Sequence, residues 1–289
     1  MIHRRPRLIS RCADVADVIA AVQFGRRHNL PVSIRGGGHN AGGLGVCDDG
    51  LVIDLSPIRY VHVDPATATV RVGGGSTWGD VDHATHPFGL AVPSGIISTT
   101  GVGGLTLGGG MGHLTRKYGL TIDNLSSADV VLADGSFVVA SADENPDLFW
   151  AIRGGGGNFG VVTSFLFQAH PVKMVNAGPM LWDLDQAAAI MKWYREFIPQ
   201  APEEINGFFA FITVPPGPPF PESLHFKKMA ALVWCHQGTM DQANGILDPL
   251  RRFHRPEFEF FATMPFPVLQ SMFDGLYVPG LQWYWKADF

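Results

Sequence analysis

The stretch Val32-Ser33-Ile34-Arg35-Gly36-Gly37-Gly38-His39-Asn40-Ala41-Gly42-Gly43 decides how the rest of the chain is read. Residues 31–35 read as a short strand. The glycines that follow cannot be the interior of a helix or strand, because each loses the most backbone entropy on ordering. The stretch is therefore a loop after a strand, with one imidazole and one amide set in bare backbone. A second glycine-rich tract covers residues 95–112. The chain holds 35 glycines in 289 residues, well above the ~7% of average composition, and they are clustered. Such clustering signals a close approach to the main chain.

Two familiar nucleotide readings do not fit. A Rossmann fingerprint needs G-x-G-x-x-G between a strand and a helix of a parallel βαβ unit, with an acid about 20 residues on. The first tract leads back to a strand at residues 51–55, and the second sits among antiparallel signals. The Walker pattern GxxxxGK[ST] is absent. What remains is a pair of loops whose N–H groups can close on a bridging diphosphate, each charge-assisted bond contributing roughly 1.5–3 kcal/mol.

Outward from these loops, residues 13–28 space Val15, Val18, Ile19 and Val22 as an amphipathic helix. Strands follow at 51–55, 60–64 and 69–73, the last two joined by the turn Pro65-Ala66-Thr67. Ser76 is a plausible N-cap for a helix reaching His83. Residues 129–139 read as a hairpin turned at Asp134-Gly135. Asn145-Pro146 opens another helix, closed by residues 154–157, and a strand spans 161–168. Beyond Val172 the glycines thin out. There a helix over 183–197, strands at 204–214 and 224–236 around the proline-rich loop 215–221, and a helix over 241–253 make a small α+β layer. Leu281, Trp283 and Trp285 alternate as a strand would.

With 46% hydrophobic residues the chain can bury a sizeable core, in one large or two smaller domains. A net charge of -5 gives no electrostatic footprint for nucleic acid. No apolar run of membrane-spanning length and no signal-peptide core are present, so the expectation is a cytoplasmic protein with no membrane partner. Cys12, Cys47 and Cys235 are odd in number and far apart, which suggests neither disulfides nor zinc. His83 and His86 lack a third ligand nearby.

Five segments then carry a resemblance. They are residues 32–40 quoted above; Pro93-Ser94-Gly95; Gly101-Val102-Gly103-Gly104-Leu105-Thr106-Leu107-Gly108-Gly109-Gly110; Arg116-Lys117-Tyr118-Gly119-Leu120 with Asp123-Asn124; and Arg153-Gly154-Gly155-Gly156-Gly157-Asn158-Phe159-Gly160-Val161-Val162. In this order, across residues 5–172, the chain resembles the FAD-linked oxidases of the vanillyl-alcohol oxidase superfamily, within it the berberine bridge enzyme-like group. The resemblance implies an α+β fold: a PCMH-type FAD-binding domain over residues 1–172, then an incomplete antiparallel-sheet substrate domain over 173–289 with helices on one face.

It further implies that Arg35, Gly36, Gly37, Gly38, His39 and Asn40, with Gly43, wrap the FAD pyrophosphate. His39 then matches the histidine bonded to the 8α-methyl of the flavin, since a neutral imidazole nitrogen can add to that carbon when it is electrophilic. Pro93, Gly95, Thr99, Thr100, Gly103, Gly104, Gly108 and Gly112 line the flavin or its diphosphate, and Val161 and Val162 offer backbone groups nearer the adenine. Tyr118 and Asp123 are weaker members of that set, and each is as well explained by packing or capping. Many relatives attach the ring a second time through a cysteine at the position of Ile97, so no second link is expected here. Cys47 is structural. His113 is read as a helix-start histidine making one backbone hydrogen bond, not as a base.

The implied activity is hydride transfer from a C–H of an alcohol, sugar or amine to FAD, with dioxygen or another acceptor taking the electrons. The family's acid–base group comes from a portion past Lys286, so no catalytic residue is assigned. Two alternatives stay open: a non-catalytic FAD-binding fragment or half of a split flavoprotein, and an NADPH-dependent reductase on the same fold, which the flavin-linked histidine disfavours.

Overall fold

The structure is a computed structural model and describes residues 2–276 and 280–281. The described residues divide into two compact units, one comprising residues 2–112, Tyr118–Pro171 and residues 270–276, the other His113–Lys117 and Val172–Leu269. Among the described residues no helix is long and apolar enough to cross a membrane. The strand read from Trp283 and Trp285 lies outside the described residues.

The first unit opens with β1 (Leu8–Arg11), α1 (Val15–Arg27), β2 (Val32–Arg35) and β3 (Leu51–Asp54). The three strands form a parallel sheet in the order β1-β3-β2, with Leu51 aligned between Leu8 and Val32. β3 is buried throughout, which is why Leu51, Val52 and Ile53 run apolar without alternation. Asp14 caps α1 by accepting from the Asp17 N–H at 3.0 Å. Val18, Ala21 and Val22 of α1 pack on Leu51, Ile53 and Leu55.

Next come β4 (Val61–Asp64), β5 (Thr69–Gly73), α2 (Trp78–Thr85), α3 (Val102–Leu107), the single turn α4 (Thr115–Tyr118), β6 (Leu125–Val131), β7 (Phe137–Ser141), α5 (Pro146–Ile152) and β8 (Val161–Gln168). The five strands make one antiparallel sheet, β4-β5-β8-β6-β7. Phe165 and Phe167 at its centre pack with Val70, Val72, Val130 and Trp78. The cap of α2 is Thr77, not Ser76: the Thr77 N–H and hydroxyl both donate to Asp80, at 2.8 and 2.9 Å. Ser76 is instead drawn inward to donate to the Tyr60 carbonyl at 3.1 Å.

The second unit contains β9 (Met174–Asp183), α6 (Ala187–Phe197), β10 (Ile205–Thr213), β11 (Lys228–His236), α7 (Met240–Phe253), β12 (Phe258–Glu259) and β13 (Ala262–Pro265), and then the chain enters α8 (Phe266–Ser271). Among the described residues its sheet has five antiparallel strands, β10-β11-β9-β12 with β13 also on β9, instead of the two read from sequence. The central strand β9 was missed because Gly178 and Pro179 interrupt it. Both residues meet the step from β13 to β12: Phe260 donates to the Pro179 carbonyl at 3.0 Å, so the nitrogen that lacks a hydrogen faces the irregular side. Met180, Trp182, Leu232 and Trp234 lie on one face under Ile190, Leu247 and Leu250 of α6 and α7.

One buried acid in the first unit gives the fold a pH dependence. Asp82 of α2 is 2% exposed. Burial pushes its pKa up to about 8, with Gln270 opposing the shift. The folded chain thus keeps a proton that the unfolded chain releases above about pH 4, and stability falls as pH rises from there to about 8, by about 1.4 kcal/mol per unit. Denaturant unfolding at pH 5 and pH 8 should show the wild type losing roughly 3–4 kcal/mol relative to Asp82→Asn. A difference that does not change with pH would remove the neutral-acid assignment.

Candidate functional site

The two glycine tracts meet in the first unit. A Cβ on Gly37 would stand 2.4 Å from the Gly101 nitrogen, and one on Gly101 would stand 2.3 Å from the Gly37 nitrogen, so only two glycines allow this approach. The carbonyl of Gly74 completes the junction, 3.2 Å from the Cβ position of Gly36 and 3.6 Å from that of Gly103. Gly74 was not selected from sequence, although Gly73-Gly74-Gly75 was a visible third cluster.

The loops are held from beneath by α2. Its first free N–H groups need acceptors, and the Trp78 N–H takes the Thr100 carbonyl at 2.9 Å while the Gly79 N–H takes the Ser98 carbonyl at 2.8 Å. This presents Thr99 and Thr100 to His39. The His39 Nε2 lies 2.9 Å from the Thr99 hydroxyl and its Nδ1 lies 3.4 Å from that of Thr100. Partial loss of hydration lowers the His39 pKa, and the Asp274 carboxylate works in the opposite direction. The outcome favours the neutral imidazole, the form that has a nucleophilic lone pair.

The other residues named from sequence fall into several places. Gly38 turns with φ +74° above the Arg35 side chain, whose Nε is 3.2 Å from the Cβ position. The Asn40 side chain accepts from the Leu44 N–H at 3.1 Å, and its carbonyl accepts from Gly43 at 3.0 Å, so Asn40 shapes the loop. Gly43 packs against Ile2. Pro93 and Gly95 are buried, and Gly112 lies against the Ser94 carbonyl, 2.0 Å from where its Cβ would be. Gly108 ends α3. Val161 and Val162 send their side chains into the core, which leaves only main-chain atoms on offer. The Cys47 sulfur lies 3.4 Å from the Ser33 hydroxyl, a packing role.

Tyr118 stacks on His170 at 4.0 Å, and Asp123 accepts from the Leu120 N–H at 2.8 Å and faces Arg153 at 3.6 Å. These are packing and capping duties. His113 lies two residues before α4 in the second unit, its ring buried beside Phe208, and among the described residues its Nε2 has no partner. Burial alone pushes it down to about 4, so it is neutral at physiological pH.

One observation argues directly that something rests on this surface. Gly104 sits inside α3 with nothing within 4 Å of a Cβ, although alanine would strengthen an exposed helix there. Gly154, Gly156 and Gly157 are equally open, and Gly154 and Gly156 both donate to the Leu107 carbonyl at the end of the same helix, at 3.1 and 3.0 Å. Side-chain-free backbone is thus gathered from three tracts, which suits a large anionic ligand. The residues present fit a flavin dinucleotide, with an imidazole at one edge.

This fold and loop arrangement define a PCMH-type FAD-binding domain, and residues 6–141 match the family described as FAD binding domain. The chain is 34% identical to an FAD-linked oxidoreductase of Dictyostelium discoideum over 98% of its own length and 60% of the relative's. It superposes on the crystal structure of 6-hydroxy-D-nicotine oxidase from Arthrobacter nicotinovorans with a TM-score of 0.85 at 32% identity, covering 96% of this chain and 60% of that one. Glucooligosaccharide oxidase from Acremonium strictum gives a TM-score of 0.81 at 28% identity, covering 93% and 56%. Residues 6–141 thus carry an FAD-binding domain, and the relatives the chain is similar to are FAD-linked oxidoreductases of the vanillyl-alcohol oxidase superfamily. The chain spans 60% of the length of the first two of these relatives.

Two alanine substitutions separate the cradle's framework from its contact surface. Gly37→Ala should cost about 1–3 kcal/mol by overpacking against Gly101 and abolish FAD uptake. Gly104→Ala should stabilise the flavin-free protein by up to about 1 kcal/mol yet weaken FAD binding, because it thickens an open surface. Thermal melts with FAD titrations measure both, and unchanged affinity in Gly104→Ala would take that helix off the ligand's path.

Proposed function

We propose that the chain forms the flavin-binding part of an FAD-dependent oxidoreductase whose FAD is attached once, through His39. The whole protein takes hydride from a C–H of an alcohol, sugar or amine and passes the electrons to dioxygen or another acceptor. The observation that carries this reading is the contact of Gly37 with Gly101 beside an imidazole whose two nitrogens face Thr99 and Thr100.

The residues that hold FAD are Arg35, Gly36, Gly37, Gly38 and His39 of the first loop, with Asn40 shaping it, and Thr99, Thr100, Gly103 and Gly104 of the second. Bound FAD supplies a two-electron acceptor that no side chain offers. The protein's own work is to present N–H groups to the diphosphate, exclude water and deliver a neutral imidazole. In attachment, His39 exchanges its ring N–H for a bond to the 8α-carbon, which gives up one C–H. Two protons leave and two electrons reach dioxygen, which becomes hydrogen peroxide.

Support for a histidyl link comes from the glucooligosaccharide oxidase structure, whose description names a 6-S-cysteinyl, 8α-N1-histidyl FAD. Here the position matched to the cysteine is Ile97, which cannot make a thioether.

After incubation with FAD and acid precipitation, wild-type protein should keep its yellow colour in the pellet. His39→Ala should bind FAD reversibly and yield a white pellet. A white pellet from wild type would dismiss the covalent link, and a protein that never takes up FAD would dismiss the cradle.

A further inference from the structure

Ser98 is held on every polar atom it has. Its carbonyl accepts from Gly79 at 2.8 Å, its N–H donates to the Asp274 carboxylate at 3.0 Å, and its hydroxyl donates to the other oxygen of the same carboxylate. Asp274 is 176 residues away in sequence and reaches the first unit on the segment after α8. A second fastening lies four residues earlier, where the Gln270 amide donates to the Ser94 hydroxyl at 2.6 Å. The loop between these points, Ser94 to Ser98, leads directly into Thr99 and Thr100, the two hydroxyls that face the His39 ring.

We propose that Asp274 is a positioning residue for flavin attachment, clamping Ser98 so that Thr99 and Thr100 fix the His39 ring, and placing a negative charge toward that ring. The inference rests on the reading of His39 as the tether. Two physical effects combine. A bidentate acceptor removes the rotational freedom of Ser98 and so of the residue pair that follows it, which keeps the imidazole in one orientation. The carboxylate also favours the imidazolium that develops as the ring nitrogen forms its bond and before its proton leaves, countering the desolvation that depresses His39. Two further charged side chains pack nearby: Arg35 lies under Gly38, and Asp80 accepts from Thr77, which bridges to Gly101. Electrons and protons balance as in the attachment step above, with dioxygen as oxidant, and Asp274 takes no part in bond making.

The test uses the full chain, mixed with FAD, and follows acid-stable flavin fluorescence on denaturing gels over time. Native FAD affinity and the His39 imidazole titration by NMR in flavin-free protein are measured alongside. Asp274→Asn should attach flavin about tenfold more slowly, the equivalent of about 1.4 kcal/mol. It should bind FAD with nearly wild-type affinity and show a lowered His39 pKa, and Asp274→Glu should restore part of the rate. Ser98→Ala, which leaves the carboxylate in place, should be slowed several-fold and keeps the question answerable if the Asn variant does not fold.

Attachment at the wild-type rate in Asp274→Asn or in Ser98→Ala overturns the proposal, as does slowed attachment with an unmoved His39 titration. If wild type itself forms no acid-stable flavin, the tether reading fails and this inference with it. If wild type attaches normally and the variants do too, only this inference fails.

Discussion

The backbone-to-backbone contact of Gly37 with Gly101 is the constraint on which the site depends. A Cβ on Gly37 or on Gly101 would stand 2.4 or 2.3 Å from the opposing backbone nitrogen, closer than ordinary van der Waals contact, and would push the two loops apart. Contact at this distance lets the junction borrow its remaining wall from Gly74, so that strands β2 and β5 and the start of α3 deliver glycines to one place. The hydroxyls that face the imidazole of His39 come from the loop that Gly101 ends.

The parallel sheet and the antiparallel sheet of the first unit serve this junction in different ways. β2 ends at Arg35 and releases the first loop from beside the central strand β3, which is buried along its whole length. α2 stands at the other side with its free N–H groups turned to Ser98 and Thr100, so that a helix start holds a loop in place. The polar cluster of Asp82, Ser94 and Gln270 lies behind the same loop, with Asp82 kept neutral by burial. Framework and site share residues here, so changes meant for one will be felt in the other.

Much of this was legible in the sequence where local signals are strong. α1 has helical spacing, the β4–β5 hairpin has its turn residues, and Asn145-Pro146 marks the start of α5. The glycine loops and His39 were visible because so many glycines have no other economical explanation, and the family resemblance then gave them a ligand. What sequence could not show depends on distant partners. β9 looks unlike a strand because Gly178 and Pro179 are tolerated only beside the irregular step between β13 and β12. Nothing local marks Asp274 as a partner of Ser98, and the helical turn α3 hides inside a run of glycines that disfavours helices. Nor does anything local show the burial of His113 beside Phe208, which comes from a strand almost a hundred residues later.

The central claim is that the two loops close on FAD with His39 bonded to it, and the mass of one peptide tests it most directly. Trypsin releases residues 36–59, bounded by Arg35 and Arg59, with His39 as their histidine. From protein saturated with FAD and then denatured, this peptide should appear heavier by one FAD less two hydrogens, with fragmentation placing the addition on His39. An unmodified peptide from fully flavin-loaded protein, or an addition on any other residue, would contradict the account.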